Sequence, residues 1–319
     1  MSVLYLTEAD VDRLVDMRAA VDVVTEAFRR LAAGEADNVP RARAQAPGIV
    51  LHTMSAAAGY LGLVGWKCYT TTKQGAQFHL GLYSQHSGKL VALIEANRLG
   101  QLRTGAVTGV AASWMAAADA HEAGLFGTGF QAAGQLAALA TVRNLKQVFV
   151  YSRDAGRREA FAKRMQAELN LEVIPVDRPE EAAADLPIVV TATTSRAPVF
   201  DGNSLSEGAL VCAVGSNWPN RAEIDATTVR RADTIVCDSV ECCELEAGDF
   251  ADALDRGLFD WSRAVNLADV VAGRAVGRKT ADSIALFKSV GMAIEDVALG
   301  ALVLERAQAA GVGNTLPIP

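Results

Sequence analysis

Small residues at Gly127, Gly129 and Ala132 in "GLFGTGFQAAGQ" form a G-x-G-x-x-A pattern between an apolar run and a helical segment. Such residues permit a tight turn and let backbone N–H groups approach a pyrophosphate, which then rests at the positive end of the helix. Alone the pattern is weak. The strand before it, the helix after it and a second strand ending at Tyr151 make it a dinucleotide site; the alternative is a glycine turn without ligand. Where that second strand ends, a carboxylate would accept hydrogen bonds from the ribose 2′-hydroxyl of NAD, but the chain reads Tyr151-Ser152-Arg153. Ser152 supplies a hydrogen bond and Arg153 a charged one to a 2′-phosphate, with Arg157 and Arg158 adding positive charge. This predicts NADP(H) in preference to NAD(H). The competing reading makes these arginines a solvated helix face and lets Asp154 reach NAD.

A second chemical question sits in "AVGSNWPNRAEID", Ala213 to Asp225, which reads as the end of a buried strand and its loop. An amide at Asn217 can orient a substrate by donating and accepting hydrogen bonds, but it cannot take up a proton near neutral pH. Metal chemistry has little support. Five cysteines (Cys68, Cys212, Cys237, Cys242 and Cys243) form no C-x-x-C pair, and His52, His79, His86 and His121 form no H-x-x-x-H pattern, so reduced, partly buried thiols and no metal are expected.

The elements that must position these residues follow from patterning. A length of 319 residues suggests two domains at roughly 150 residues each. Residues 7 to 33 carry apolar residues at helical spacing, with Thr7 as cap and Gly34 as stop signal. From Arg41 to about Ile94 the runs shorten into strands, with "SQHSGKL" as a hairpin turn. "RTGAVTGVAASWMAAA" reads as a closely packed helix. Thereafter "EAGLF", "QVFVY", "EVIPV", "PIVVTATT", "ALVCAV" and "TIVCDS" alternate with helical segments, as in a parallel sheet covered on both faces. The fold class is therefore α/β: a doubly wound Rossmann domain over residues 118–289, and a mixed α+β domain over 1–117. The tail from "KTADSIALFKSVGMAIED" onward reads as one or two helices, its last part (290–319) returning to the first domain.

Composition limits the partners. A net charge of −7 argues against a nucleic acid, which draws affinity from clustered Lys and Arg. No apolar run approaches the ~20 residues of a membrane span, and the acids in the first ten residues are foreign to a secretory signal. The expected setting is the cytoplasm, with a small molecule as partner and no membrane.

With these pieces in order, the chain resembles the ornithine cyclodeaminase/mu-crystallin family. The strand around Lys67, "LRTGAVTG", "GTGFQA", "VVTATT", "AVGSNWPNRAEID" and "FKSVGMAIED" occur in the family's order over almost the whole length. The resemblance implies a homodimer, a first domain carrying substrate groups and the dimer surface, and a nicotinamide cofactor. Members act on amino acids, imino acids or cyclic ketimines. On the same basis Arg103 resembles the arginine that binds the substrate carboxylate, which its two-pronged fork suits. Lys67 resembles the lysine near the reacting nitrogen. Arg43 of "PRARA" is the choice for a second carboxylate ligand with Arg41 in reserve, on the expectation that strand alternation lets only one face the substrate. The cofactor set implied is Thr104, Gly127, Thr128, Gly129, Phe130, Gln131, Ser152, Arg153, Arg157, Thr191, Thr193, Gly215, Ser216, Ser289 and Val290. Plainer readings make Lys67 a snorkelling lysine, Arg103 a helix-end ion pair, Arg43 a solvated strand residue and Asn217 a loop brace.

In cyclodeaminating relatives the place of Asn217 resembles that of an aspartate that moves protons during ammonia loss and ring closure. An amide cannot do that work. Cyclodeamination also recycles one bound NAD, whereas net reduction consumes reduced cofactor. Asn217 and Ser152-Arg153 thus point together to an NADPH-dependent reductase of a C=N bond beside a carboxylate, with Lys67, Arg103 and Asn217 as the catalytic set. The alternatives are an amino-acid dehydrogenase of the alanine dehydrogenase type, an ornithine cyclodeaminase, and a non-enzymatic mu-crystallin-like binding protein.

Overall fold

The computed structural model describes residues 3–317. The chain divides into two compact units, one formed by the chain up to Ala106 together with that from Gly291 onward, the other by Val107–Val290. The division runs through helix α3 (Asn97–Met115), whereas the sequence reading puts all of that helix in the first domain. Among the described residues no helix is long and apolar enough to cross a membrane.

The first unit is a seven-stranded sheet in the order β15 (Asn314–Leu316), β1 (Val3–Leu6), β6 (Leu90–Glu95), β5 (Ala76–Ser84), β4 (Leu63–Thr72), β3 (Ile49–Ala58), β2 (Ala36–Ala46). Only β1 and β6 pair in parallel. The β5–β6 connection is the expected hairpin, closed by the Ser84 amide donating to the Lys89 carbonyl. Side chains alternate across a strand, so β3 buries His52, Met54 and Ala56 while Leu51, Thr53 and Ser55 face outward. By the same rule β4 turns Gly65, Lys67 and Tyr69 inward. Helix α10 (Ala293–Ala310) packs against β3, β4 and β5 and against α2 (Met17–Ala32). Phe28, Leu80, Leu82, Ile94 and Leu99 fill the space with essentially no exposure.

The N-terminal segment is two helices rather than one. Thr7 and Asp10 form a reciprocal cap on α1 (Glu8–Leu14), Val15 turns extended, and the Asp16 carboxylate accepts the Ala19 amide to start α2. An aspartate is more stable capping a new helix than inside a continuous one.

The second unit is an all-parallel sheet in the order β13 (Ala264–Asn266), β12 (Thr234–Cys237), β14 (Ala285–Lys288), β11 (Leu210–Ala213), β10 (Ile188–Thr191), β7 (Glu122–Phe126), β8 (Gln147–Tyr151), β9 (Glu172–Pro175). Its longer helices are α4 (Phe130–Val142) and α5 (Ala155–Leu169); α6 (Ala226–Arg231), α7 (Val240–Glu246), α8 (Ala251–Asp255) and α9 (Leu267–Val271) are short. "ALFK", expected to be helical, is instead β14, held between β11 and β12. A four-residue apolar run has no decisive period, and paired neighbours on both sides settle it as a strand. The order reverses at β7, which lies between β8 and β10, and such a reversal opens a crevice at the carboxyl ends of the strands.

Candidate active site

In the second unit the β7–α4 turn has the build of a phosphate cradle. Gly127 has φ +110°, and a Cβ there would lie 2.4 Å from the Ala192 carbonyl oxygen, so no other residue fits. Gly129 caps α4 without a side-chain hydrogen bond, and a Cβ on it would meet nothing within 4 Å. The start of α4 therefore borders open space, where the helix dipole favours an anion. Gln131 adds a buried Oε1 with no hydrogen-bond partner among the described residues. Thr128 is half-buried in the turn and Phe130 is exposed. The cradle fits a dinucleotide.

Just beyond the end of β8 five polar residues have separate fates. The Ser152 hydroxyl accepts the Asp154 amide at 3.4 Å and keeps its own proton to donate. Arg153 is exposed. Asp154 caps α5 by accepting the Arg157 amide, which ties it to the helix, and Arg157 is exposed beside it. Arg158 is buried, donating to the Ser152 carbonyl at 3.0 Å and pairing with Asp177, so its charge braces the strand end.

Thr191, Thr193 and Gly215 meet on one buried carboxylate that the sequence reading did not single out. Glu223 accepts from Thr191 Oγ1 (3.0 Å), from the Thr193 amide and hydroxyl (2.6 and 2.7 Å), and from the Gly215 amide (2.6 Å). The two hydroxyls are thus spent within the protein. Asp249 in turn holds the Glu223 amide (2.6 Å) and pairs with Lys288 Nζ (2.7 Å), which donates to the Ser216 carbonyl (2.7 Å). Burial and then Asp249 push the Glu223 carboxyl up, against Lys288 and Thr193. Burial pulls Lys288 down, but Asp249 and Glu223 outweigh it and hold the ammonium above its usual range. The network fixes the loop that presents half-buried Asn217. Ser289 and Val290 are anchored separately, by Oγ and amide donation to Asp238 at 2.8 Å each.

The first unit holds the substrate-side candidates. Lys67 and Arg103 are both buried, and both reach Asp296 Oδ1: Lys67 Nζ at 2.6 Å and Arg103 Nε at 3.2 Å. Arg103 Nη1 also donates to Glu295 Oε2 at 3.0 Å. Burial pulls the Lys67 ammonium down to about 8, with Arg103 adding to the effect and Asp296 opposing it. Burial also acts against the Arg103 charge, but Asp296 and Glu295 together hold that guanidinium above its ordinary value. The Lys67 ammonium lies 5.5 Å from the Phe78 ring centre, where a cation is favoured. Phe78, Tyr69 and His52 form a stack across β5, β4 and β3, with spacings of 4.8 and 4.2 Å. Thr104, one residue on from Arg103, donates back to the Gly100 carbonyl at 2.6 Å.

The expectation that only one of Arg41 and Arg43 faces inward is corrected. β2 carries a register irregularity between Val39 and Ala42, yet the charges of both arginines bear on His52. Burial, helped by Arg43 and Arg41, pulls His52 down to about 4, leaving a neutral imidazole. Arg41, the reserve, is the more buried at 8% exposure and donates to the Gly291 carbonyl; Arg43 is half-buried. Asp296 and Glu295 were also overlooked. The available signal was two adjacent acids in "GMAIEDVALG", an otherwise apolar helix start.

Over its whole length the chain is similar to known proteins. The chain is 30% identical to a Delta(1)-pyrroline-2-carboxylate reductase of Bacillus cereus, covering 98% of this chain and 99% of the relative. The solved Delta(1)-pyrroline-2-carboxylate reductase of Thermococcus litoralis, in complex with NADH and L-proline, superposes with a TM-score of 0.95 at 31% identity over 98% of this chain and all of that one. An archaeal alanine dehydrogenase dimer with bound NAD superposes with a TM-score of 0.94 at 29% identity over the full length of both. The family match runs over residues 1–311, and the chain belongs to the ornithine cyclodeaminase/mu-crystallin family.

Proposed function

We propose that the chain is an NADPH-dependent oxidoreductase that reduces a C=N bond beside a carboxylate, turning a cyclic ketimine such as pyrroline-2-carboxylate, or an open imino acid, into the amino acid. The observation that carries this reading is the buried Lys67–Asp296–Arg103 cluster. It joins a fork suited to a carboxylate with an ammonium able to give up a proton near neutral pH. Arg103 binds the substrate carboxylate, aided by Arg41 or Arg43, and Lys67 protonates the nitrogen. Asn217 orients the substrate by hydrogen bonds and takes no proton. A bound reduced nicotinamide supplies the hydride. Gly127, Thr128, Gly129, Phe130 and Gln131 hold the pyrophosphate. Thr104, Thr191, Thr193, Gly215, Ser216, Ser289 and Val290 line the rest of the cofactor. Ser152, Arg153 and Arg157 receive the 2′-phosphate.

The enzyme works as a cytoplasmic homodimer in this reading. Support comes from the dimeric alanine dehydrogenase relative and from Val39, Leu51 and Val64, apolar residues exposed on neighbouring strands of the first unit's sheet. NADPH oxidation should be followed with pyrroline- and piperideine-2-carboxylate, pyruvate plus ammonia, and pyruvate plus methylamine, with ornithine and NAD as control. Turnover of a ketimine is expected; rapid proline formation from ornithine would overturn the reading. The likeness to alanine dehydrogenase favours a second reading, in which pyruvate plus ammonia is the best substrate pair of the panel.

A further inference from the structure

Lys67 and Arg103 come from β4 and α3, yet they meet at a single atom. Asp296 Oδ1 accepts from Lys67 Nζ at 2.6 Å and from Arg103 Nε at 3.2 Å, while Oδ2 of the same carboxylate is buried with no hydrogen-bond partner among the described residues. A carboxylate whose purpose was to neutralise two cations would spread them over both oxygens. One shared oxygen instead fixes the distance between the two groups. Asp296 is itself fully buried in the first turn of α10 beside Glu295, which accepts from Nη1 of the same guanidinium at 3.0 Å.

We propose that Asp296 is a positioning residue, a common anchor that sets Lys67 Nζ relative to the Arg103 fork so that a carboxylate held by the fork brings the nitrogen on its adjacent carbon to the ammonium. The inference rests on the reductase reading and adds to it the residue that aligns the proton donor. In the step concerned, the hydride that a bound reduced nicotinamide would supply forms a new C–H bond at the imine carbon as the C=N π bond breaks. Its electron pair stays on nitrogen and forms a new N–H bond with a proton from Lys67, whose own N–H bond breaks to leave a neutral amine. Water returns the proton to Nζ, and Asp296 remains a carboxylate throughout. The missing carboxylate at Asn217 therefore leaves no gap in proton supply.

The charged groups that act on Lys67 are Asp296 from α10, Arg103 from α3 and Arg41 from β2, and Tyr69, two residues along β4 on the buried side, acts on Arg103. Of the groups that shift its ammonium, Asp296 alone favours the charged form, since burial, Arg103 and Arg41 all act against it. The ammonium lies near 8, so Lys67 is protonated below that pH and loses its proton as pH rises through it. Removing the Asp296 charge must move this transition to lower pH.

The test measures Lys67 directly and through turnover. The full-length protein, labelled with 13C-lysine, is titrated by NMR, with the Lys67 signal assigned by its loss in Lys67→Arg. Asp296→Asn is expected to lower the Lys67 transition by about one pH unit or more, the size expected for an opposite charge in contact. The alkaline limb of kcat with pyrroline-2-carboxylate and NADPH should shift equally. Asp296→Glu keeps the charge on a longer arm. It should hold the transition near 8 while kcat falls about tenfold or more, as for a displacement near 1 Å, with KM less affected. An unmoved Lys67 transition in Asp296→Asn would overturn the proposal, and so would an unchanged kcat in Asp296→Glu. If Asp296→Asn does not fold, Asp296→Glu decides alone. If the unmutated enzyme turns over no ketimine, the function reading falls, and the NMR titration still decides whether Asp296 governs Lys67.

Discussion

Replacing Arg153 with alanine should separate the two nicotinamide cofactors if this residue receives the 2′-phosphate. Arg153 is exposed at the end of β8. Arg158, another nearby positive charge, is committed to the Ser152 carbonyl and Asp177. A hydrogen bond to a charged group contributes about 1.5–3 kcal/mol, and about 1.4 kcal/mol is a factor of ten in affinity. Solvent screening at an exposed site favours the lower end. Arg153→Ala should therefore weaken NADPH binding about tenfold, and Arg153→Ala with Arg157→Ala further still. NADH binding should hardly change, because NADH has no phosphate at that hydroxyl. The melting temperature should stay put, since a surface substitution typically costs less than about 0.5 kcal/mol. Titration calorimetry with each reduced cofactor, at low and raised salt, measures the contrast, and the NADPH loss should shrink as salt rises. Equal losses with both cofactors, or an unmutated protein that prefers NADH, would refute the 2′-phosphate reading.

Gly127→Ala should cost about 2 kcal/mol or more from the positive φ alone, with the added clash against the Ala192 carbonyl; thermal melts and cofactor titration should both register it. Arg103→Lys should raise KM for the carboxylate substrate far more than it changes KM for NADPH, because a point charge cannot reproduce the fork. It also strips the buried Glu295 carboxylate of the Nη1 bond, so melting should fall by an amount corresponding to ~3 kcal/mol; an unchanged KM would contradict carboxylate binding by this residue. Asn217→Asp should slow ketimine reduction and yield at best a trace of proline from ornithine, followed by chromatography, since it restores a proton-transfer group but adds an anion. Efficient cyclodeamination by that variant would show that residue 217 alone selects the reaction.

The glycine turn after β7 was legible in the sequence because its cause is local. Only glycine tolerates φ +110° at position 127, the helix start follows within three residues, and Tyr151-Ser152-Arg153 lies one strand further on. Period and turn chemistry act over a few residues, so "SQHSGKL" read as a hairpin and the five-residue strands β7 and β8 read as strands. "ALFK" did not, since its four residues suit helix or strand and only the slot between β11 and β12 chooses. Likewise Asp16 reads as one more residue of a long amphipathic helix until its carboxylate is seen capping α2. Burial and partners were the least legible. Lys67 and Asp296 are 229 residues apart and Arg103 and Asp296 are 193 apart, so no window of sequence joins them. Nor does any window show that Glu223 gathers donors from β10 and from the loop after β11. A buried charge is tolerable only where other chain segments supply its partners. Residue type therefore announced what Lys67 and Arg103 could do, and the packing of α10 on the sheet decided that one oxygen of Asp296 would hold them together.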